Sequence, residues 1–240
     1  MNRFFATLVN GKPILSDDSR HHLVSVLRIK KGEKIEIVNE QKVYLAVVQK
    51  TDPLELAIEK EIEEQRETSI EMILAFSLLK GGYDDLVIQK GTELGIKQFF
   101  PFYSERTIVS LKGEKEKQKR KERFEKIALS AVEQSKRVMI PLIHPISPIS
   151  SIVSLSSVHR YIAYEGEAGS SNSLFKELST IKNGESVLIV IGPEGGFSEN
   201  EISLAMKKGF KSISLGRRIL RAETACLDVC ALLGAYGDEL

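Results

Sequence analysis

Two hydrophobic patterns divide the chain near residue 68. Before that point, apolar and polar residues alternate in four short runs, at 4–9, 34–39, 43–50 and 54–60. A period of two predicts strands, and Gly- or Pro-containing turn signals separate the runs. Residues 19–32 predict one short helix between the first two strands. Strands at this spacing favour a small β-barrel over a βαβ unit.

After residue 68, buried apolar runs alternate with stretches of helical period. The runs that predict strands are 69–78, 98–103, 159–164, 187–192 and 212–216. Those that predict helices are 83–94, 113–137, 173–181, 199–209 and 222–237. This alternation predicts an α/β domain whose mostly parallel sheet is covered on both faces. We therefore expect two domains, 1–68 and 69–240.

The composition is that of an ordinary globular protein, with 42% hydrophobic and 28% charged residues in 240. The longest uncharged apolar run, 187–192, is too short to cross a bilayer, and the first residues resemble no signal peptide. These features predict a cytoplasmic protein without a membrane partner. Cys226 and Cys230 lie four apart in a helical pattern, which predicts buried thiols and no metal site.

The charges are segregated although the net charge is only +1. Residues 1–45 hold eight Lys/Arg against five Asp/Glu, residues 52–67 hold seven acids against two bases, and residues 112–126 hold eight bases against four acids. Basic blocks suit an anionic partner such as RNA. For residues 112–126 an exposed, salt-bridged helix explains the pattern equally well.

The stretch IGPEGGFSENEI, residues 191–202, joins a buried apolar run to a helix. Ser198 and Glu201 form an S-x-x-E capping box, so GPEGGF is a loop at the carboxyl end of a strand. Open α/β sheets place their ligands there, and Gly195 and Gly196 can leave backbone N–H groups open. A tight turn that binds nothing is the alternative. Neither phosphate-loop fingerprint occurs, which disfavours an enzyme with a phosphorylated cofactor.

The stretch LGRRILRAETA, residues 215–225, places apolar side chains in a second such loop. Ile219 and Leu220 suit a flat organic group such as adenine, and the flanking arginines suit an anion. Glu223 has a structural alternative, which is to pair with an arginine and cap the last helix. A cation at a helix N-terminus opposes the dipole, so Arg221 is less easily explained by structure alone.

Together these stretches resemble the paired C-terminal signatures of the RsmE family, the uridine-N3 methyltransferases of small-subunit (16S) ribosomal RNA. Residues 21–38, 80–109 and 127–141 also resemble family segments, in the same order. The chain departs from the family pattern at Gly81-Gly82-Tyr83, where a charged segment is usual, and at Arg217. The departures bear on local substrate contacts more than on the reaction class.

The resemblance implies a trefoil-knotted SPOUT methyltransferase domain at 69–240 behind a PUA-like RNA-binding β-barrel at 1–68. It also implies S-adenosyl-L-methionine as cofactor, a homodimer, and free ribosomal RNA or the assembled small subunit as substrate. Carried over by position, the cofactor residues are Tyr164, Glu165, Gly166, Ile191, Gly192, Pro193, Glu194, Gly195, Gly196, Leu215, Gly216, Ile219, Leu220 and Arg221. The expected RNA contacts are Arg3, Arg20, His22, Arg28, Lys30 and Lys31.

Methylation of N3 needs a deprotonated uracil whose charge spreads over two carbonyl oxygens. A donor aimed at those oxygens lowers the barrier, and Arg221 is the first candidate and Arg137 the second. Glu194 and Glu223 are candidate proton acceptors, and catalysis without a dedicated base is the alternative. Stacking of a base on an aromatic side chain is a further possibility, against a plain core role, for Phe4, Phe5, Tyr83, Phe102 and Tyr103.

A second class of function fits the same fold. A non-catalytic RNA-binding factor for ribosome assembly retains the architecture and needs no cofactor. The intact GPEGG and RILRAET segments disfavour it, because a protein without activity need not keep a cofactor pocket.

Overall fold

The computed structural model describes residues 1–111, 113–169 and 172–240. Lys112, the first residue of the basic block 112–126, lies outside the described residues. The chain forms two compact units. The first unit comprises Met1–Glu67 and Val132–Met139, and the second unit comprises Thr68–Ala131 and Ile140–Leu240.

The first unit is built on a five-stranded sheet in the order β2-β1-β3-β4-β5. Its strands are β1 Arg3–Val9, β2 Lys12–Leu15, β3 Lys34–Asn39, β4 Lys42–Thr51 and β5 Leu54–Ile62. Strand β1 runs parallel to β3, and the other pairs are antiparallel. The edge strands β2 and β5 approach each other, so the sheet is rolled up around its core. The four predicted strands are present, and β2 is an additional one.

The predicted helix 19–32 is wrong in its extent. Helix α1 covers Asp17–His21, begins at Ser16, whose hydroxyl accepts the Ser19 N–H at 3.2 Å, and is followed by a π-helical turn over His22–Val26. The helical turns stop before Arg28, which has a φ of +53°. Leu23 is fully buried and packs with β3 and β4, and the partly buried Ile29 of the same segment packs against this core as well.

The second unit contains a seven-stranded parallel sheet in the order β12-β10-β11-β6-β7-β8, with β9 paired to β7. Its strands are β6 Glu71–Ser77, β7 Gln98–Tyr103, β8 Leu142–Ile143, β9 Ser147–Pro148, β10 His159–Ala163, β11 Ser186–Ile191 and β12 Lys211–Ile213. Its helices are α2 Tyr83–Glu93, α3 Glu114–Ser135, α4 Ile149–Ile152, α5 Leu174–Leu178, α6 Glu199–Lys207 and α7 Ala222–Asp238. Helix α3 runs on into the first unit from Val132.

Both faces of this sheet are buried, as the alternation predicts. On β6, Leu74 and Phe76 face one core and Ile73 and Ala75 face another. The first core also takes residues of α2, α3, α5 and α7, and the second takes residues of α4 and α6. The α/β class of this part of the chain is therefore confirmed.

Local signals in the sequence locate several helix ends correctly. Helix α2 ends just before Gly95, whose φ of +98° lies in the left-handed region. The capping box of Ser198 and Glu201 is present at the start of α6.

Cys226 and Cys230 are buried free thiols, and burial raises the pKa of each. Among the helices of the described residues, none has the length and apolarity needed to cross a membrane.

Candidate active site

A cavity of about 500 Å³ opens at the carboxyl edge of the parallel sheet. The loops behind β10, β11 and β12 and the segment after β6 form its walls. The residues that line it and are expected at the cofactor are Tyr164, Glu165, Ile191, Gly192, Pro193, Glu194, Gly196, Leu215, Gly216, Ile219, Leu220 and Arg221. The structure therefore brings together three segments that are far apart in the sequence.

Ten further residues line the cavity besides the expected cofactor positions. They are Lys80, Tyr83, Ala163, Ala168, Phe197, Ile213, Arg218, Ala222 and Ala225, together with the expected catalytic residue Glu223. Most of them flank the motif segments directly. Lys80 and Tyr83 follow β6, which neighbours β11 in the sheet, and a strand order of this kind cannot be read from hydrophobic alternation.

The glycines of the GPEGG loop accommodate parts of the protein itself. A Cβ on Gly192 would lie 2.9 Å from the Phe197 ring, and one on Gly195 would lie 3.1 Å from the Arg106 Cβ. Gly196 has a φ of +68°, and a Cβ there would lie 3.1 Å from a Glu165 carboxylate oxygen. A side chain on Gly192 would therefore need the Phe197 ring to shift, one on Gly195 would be tight against Arg106, and one on Gly196 would be strained by its positive φ.

Gly166 and Gly195 are the expected cofactor residues that do not line the cavity. A side chain on Gly166 would collide with the ring of Tyr164, which does line it. Gly195 faces Arg106 instead, and the Arg106 guanidinium donates to the Gly195 carbonyl oxygen at 3.2 Å. Both glycines shape the walls from behind.

The SER stretch that begins at Ser104 supports the GPEGG loop. Besides the Arg106 contact, the Glu105 N–H donates to a Glu201 carboxylate oxygen at 2.9 Å. The hydroxyls of Thr107 and Ser77 lie 2.8 Å apart, which ties the stretch to the end of β6. The loop is therefore held from α6 on one side and from this stretch on the other.

The charged side chains at the cavity differ in their surroundings. Arg218 and Arg221 are both exposed, and Arg221 is the N-cap residue of α7. Burial raises the pKa of Asp228 on the same helix, and the nearby charge of Arg218 opposes that effect. The two arginines thus leave positive charge at the cavity.

The two candidate proton acceptors differ in their exposure and in their hydrogen bonds. Glu194 is exposed, and its carboxylate accepts the Lys80 backbone N–H at 3.2 Å. Glu223 is only 9% exposed and lines the cavity. Within the described residues its carboxylate has no ion pair or side-chain hydrogen bond, so the structural alternative for Glu223, pairing with an arginine and capping α7, is not found there.

Arg137 requires a correction. Arg137 is 3% exposed, and its guanidinium donates to both carboxylate oxygens of Glu67, at 3.3 Å from Nε to Oε1 and 2.6 Å from Nη2 to Oε2. The same carboxylate accepts the backbone N–H groups of Val138 and Met139. The charge of Arg137 is therefore neutralised inside the first unit, and we exclude Arg137 from the catalytic set.

Arg3, expected at the RNA, also requires a correction. Its side chain is 1% exposed and makes ion pairs with Glu36 at 3.0 Å and Glu64 at 2.5 Å. A guanidinium buried between two carboxylates cannot reach a phosphate, because unpairing it would leave buried negative charge. Its position early in a basic block gave no sign of these partners.

The other expected RNA residues are exposed. Arg20, His22, Arg28, Lys30 and Lys31 all lie between β2 and β3. Among the described residues, Arg20 has an ion pair with Asp17 alone, whose side chain is itself 93% exposed, and such a pair is weak. The segment therefore presents a cluster of positive charge to solvent.

Four cations of the basic block on α3 have ion pairs. Lys117 pairs with Glu114 and Lys121 with Glu125, within the helix. Arg120 pairs with Asp84 and Arg123 with Asp85, both on α2. For these four cations, salt bridging accounts for the basic pattern, as in the structural alternative to RNA binding.

The aromatic candidates fall into two groups. Phe4 and Phe102 are core residues, at 2% and 0% exposure, and Phe5 packs in a small apolar cluster. Tyr83 and Tyr103 are exposed, but the Tyr103 ring carries the Lys117 ammonium 5.2 Å from its centroid. We therefore leave Tyr103 out of the RNA-contacting set.

The sequence matches two known domain families. The RNA methyltransferase domain family matches residues 66–234, and the RNA methyltransferase PUA domain family matches residues 15–61. The two matches lie on the parallel-sheet part and the rolled-sheet part of the chain, respectively.

Similar proteins carry one shared name. Ribosomal RNA small subunit methyltransferase E of Bacillus subtilis (strain 168) is 34% identical over all of this chain and 98% of its own length. The protein of the same name from Mesomycoplasma hyopneumoniae (strain 232) is 34% identical over 95% of this chain and 96% of its own. A crystal structure of the same enzyme from Neisseria gonorrhoeae, bound to S-adenosyl methionine, has a TM-score of 0.85 at 29% identity. That match covers 98% of this chain and 97% of the other.

Proposed function

The chain belongs to the ribosomal RNA small subunit methyltransferase E family, and we propose that it methylates N3 of a specific uridine in small-subunit (16S) ribosomal RNA. The observation that carries the proposal is the cavity where the GPEGG loop and the RILRAET segment meet. A non-catalytic assembly factor is disfavoured, because the relatives are methyltransferases by name and one was solved with S-adenosyl methionine bound.

The residues of the cavity fit S-adenosylmethionine. Its volume lies in the range of small-molecule sites, and Leu215, Ile219 and Leu220 offer an apolar surface for adenine. Glu165 brings a carboxylate against the backbone of Gly196, where hydroxyl and amino groups find an acceptor. When bound, the cofactor supplies a sulfonium-activated methyl group.

Arg221 is the residue that we assign to the developing charge on the uracil. Its guanidinium is exposed at the cavity and has no carboxylate partner within the described residues. A planar, permanently charged donor aimed at a uracil carbonyl oxygen lowers the cost of removing the N3 proton. The charge thus acts where the negative charge of the nucleophile develops.

Glu223 is the better placed of the two candidate proton acceptors. It is buried at the cavity wall, whereas the Glu194 carboxylate is exposed and already accepts the Lys80 N–H. A shielded carboxylate without a cationic partner is available to receive the N3 proton. Glu194 instead holds the segment after β6 against the GPEGG loop.

The finer features of the family complete the proposal. We assign residues 1–68 to a PUA-like RNA-binding barrel and residues 69–240 to a SPOUT domain with a trefoil knot. The successive loops after β10, β11 and β12 that wall the cavity are consistent with such a knot. The enzyme acts as a cytoplasmic homodimer on ribosomal RNA or on the assembled small subunit.

The RNA is held through its phosphates by the exposed cluster between β2 and β3. Its members are Arg20, His22, Arg28, Lys30 and Lys31. Contacts of this kind position the RNA without reading its sequence. The choice of uridine then depends on what the cavity accepts.

Mass spectrometry of small-subunit ribosomal RNA tests the proposal. Cells that lack the gene should lack N3-methyluridine at one position, and the purified wild-type protein with S-adenosylmethionine should restore it. Unchanged N3-methyluridine in the deletion strain would contradict the uridine assignment. Absence of cofactor binding by calorimetry at millimolar concentration would contradict the methyltransferase assignment itself.

A further inference from the structure

An exposed tyrosine stands at the cavity without any role in the scheme above. Tyr83 is the first residue of α2, is 38% exposed and lines the cavity. Gly81 and Gly82 precede it with φ values of +67° and +81°, and a Cβ on Gly81 would lie 3.6 Å from the Tyr83 ring.

The segment that carries Tyr83 is fixed at several points. Asp84 is 1% exposed, accepts the Leu79 N–H at 2.5 Å and pairs with Arg120. The Lys80 N–H donates to Glu194. A ring on a segment held in this way offers a preorganised surface, which binds a ligand at a smaller entropic cost than a mobile loop does.

The strand before Tyr83 and the strand before the apolar residues proposed for adenine lie apart in the sheet. Leu215, Ile219 and Leu220 follow β12, whereas Tyr83 follows β6. In the sheet order β12-β10-β11-β6 the two strands are three spacings apart, which is about 14 Å at about 4.8 Å per strand. Leu215 therefore reaches the cavity from the β12 end of the sheet edge, and Tyr83 reaches it from the β6 end.

Tyr83 and Arg221 reach the same cavity from the starts of two helices that pack together. Helices α2 and α7 pack together, and a Cβ on Gly234 of α7 would lie 2.6 Å from the Leu94 carbonyl oxygen at the end of α2. Both helices begin at the cavity. At about 1.5 Å per residue, the first residue of each helix lies about 17 Å from this contact. Helix α2 begins at Tyr83, and α7 begins directly after Arg221.

We propose that Tyr83 is the platform on which the ring of the target uracil stacks, beside Arg221. The inference rests on the proposed function and names the residue that binds its acceptor. N3 lies on the Watson–Crick edge, so the target base has to leave its stack before it reacts. An aromatic face replaces the lost stacking, as in many complexes with single-stranded RNA.

Steady-state methylation of unmodified small-subunit ribosomal RNA by three variants tests the inference. Tyr83→Phe keeps the ring, Tyr83→Leu removes it, and Tyr103→Leu is a matched control on an equally exposed tyrosine outside the cavity. We expect Tyr83→Leu to lower kcat/KM for RNA by about tenfold or more and the other two variants to stay within about twofold of wild type. Calorimetry should give all four proteins the same affinity for S-adenosylmethionine, which also shows that they are folded.

Each other outcome identifies what is wrong. Normal methylation by Tyr83→Leu overturns the inference alone. Equal losses of kcat/KM in Tyr83→Phe and Tyr83→Leu would assign the effect to the hydroxyl group. A loss of affinity for S-adenosylmethionine would make Tyr83 a cofactor contact. Either result contradicts the stacking role of Tyr83. A wild-type protein that forms no N3-methyluridine overturns the proposed function and the inference with it.

Discussion

At the scale of single residues, the arginines of the RRILR segment separate into those that line the cavity and one that does not. Arg218 and Arg221 line it, and the exposed Arg217 does not. Arg218 lies near the half-buried Asp228, whereas no carboxylate pairs with Arg221 within the described residues. Among the described residues, the charge of Arg221 is therefore less offset by a neighbouring carboxyl group than that of Arg218.

We expect Arg221→Ala to lower kcat by about a hundredfold, the usual effect of losing one donor to a developing oxyanion. Its affinity for S-adenosylmethionine should change by less than about tenfold, since an arginine beside the acceptor base acts mainly in the transition state. Arg217→Ala is the control and should behave as wild type. Single-turnover kinetics with calorimetry measures both quantities, and equal losses in rate and affinity would argue against the catalytic role.

Residue by residue, the sequence locates the site better than it explains the site. Nearly all the expected cofactor positions line one cavity, because motif segments at strand ends converge on the same sheet edge. The ion-pair partner of each charged residue could not be predicted from the sequence. Arg3 and Arg137 read as free cations, but their carboxylates lie far away in the chain, at Glu64 and Glu67.

At the scale of elements, the carboxylate of Glu201 joins two segments of the second unit. One oxygen accepts the Ser198 N–H at the start of α6, and the other accepts the Glu105 N–H, both at 2.9 Å. The side chain is 8% exposed. The capping box predicts the first bond from sequence spacing, but the second links residues 96 positions apart and has no local signal.

We expect Glu201→Gln to weaken S-adenosylmethionine binding by about tenfold and to destabilise the fold by about 1–3 kcal/mol, because an amide cannot accept both buried N–H groups. Calorimetry and urea unfolding measure the two effects. Glu199→Gln removes an exposed carboxylate from the same first turn and is the matched control. Cofactor affinity that is lost equally in the control would show that only helix charge matters.

At the scale of the whole molecule, RNA affinity depends on charge that the fold leaves exposed. The logarithm of the RNA-binding constant falls linearly with the logarithm of the salt concentration, and each phosphate contact that is lost should make this slope less steep by about 0.7–0.9. The double variant Lys30→Ala/Lys31→Ala should therefore make the slope less steep by about 1.5. The exposed pair Lys207→Ala/Lys208→Ala is the control, and filter binding across salt concentrations gives both slopes. An unchanged slope in the first variant would place the RNA surface elsewhere.

Global stability should depend on pH through one half-buried carboxyl group of the first unit. Burial raises the pKa of Glu133 from 4.5 to about 7, and the Phe5 N–H and the Lys136 charge offset the effect only in part. Its Oε1 atom is buried without a hydrogen-bond partner among the described residues. Between the two pKa values the folded state holds a proton that the unfolded state has released, so stability falls as pH rises through this window.

Glu133→Gln should remove that dependence, because the amide is neutral at every pH. Urea unfolding should show the variant to be more stable than wild type by about 1–2 kcal/mol at pH 8, a value reduced for partial exposure, and by much less at pH 5. Glu63→Gln, at an exposed position of the same unit, should leave the difference between the two pH values unchanged. A gain of equal size at pH 5 and pH 8 would mean that Glu133 affects packing and not proton binding.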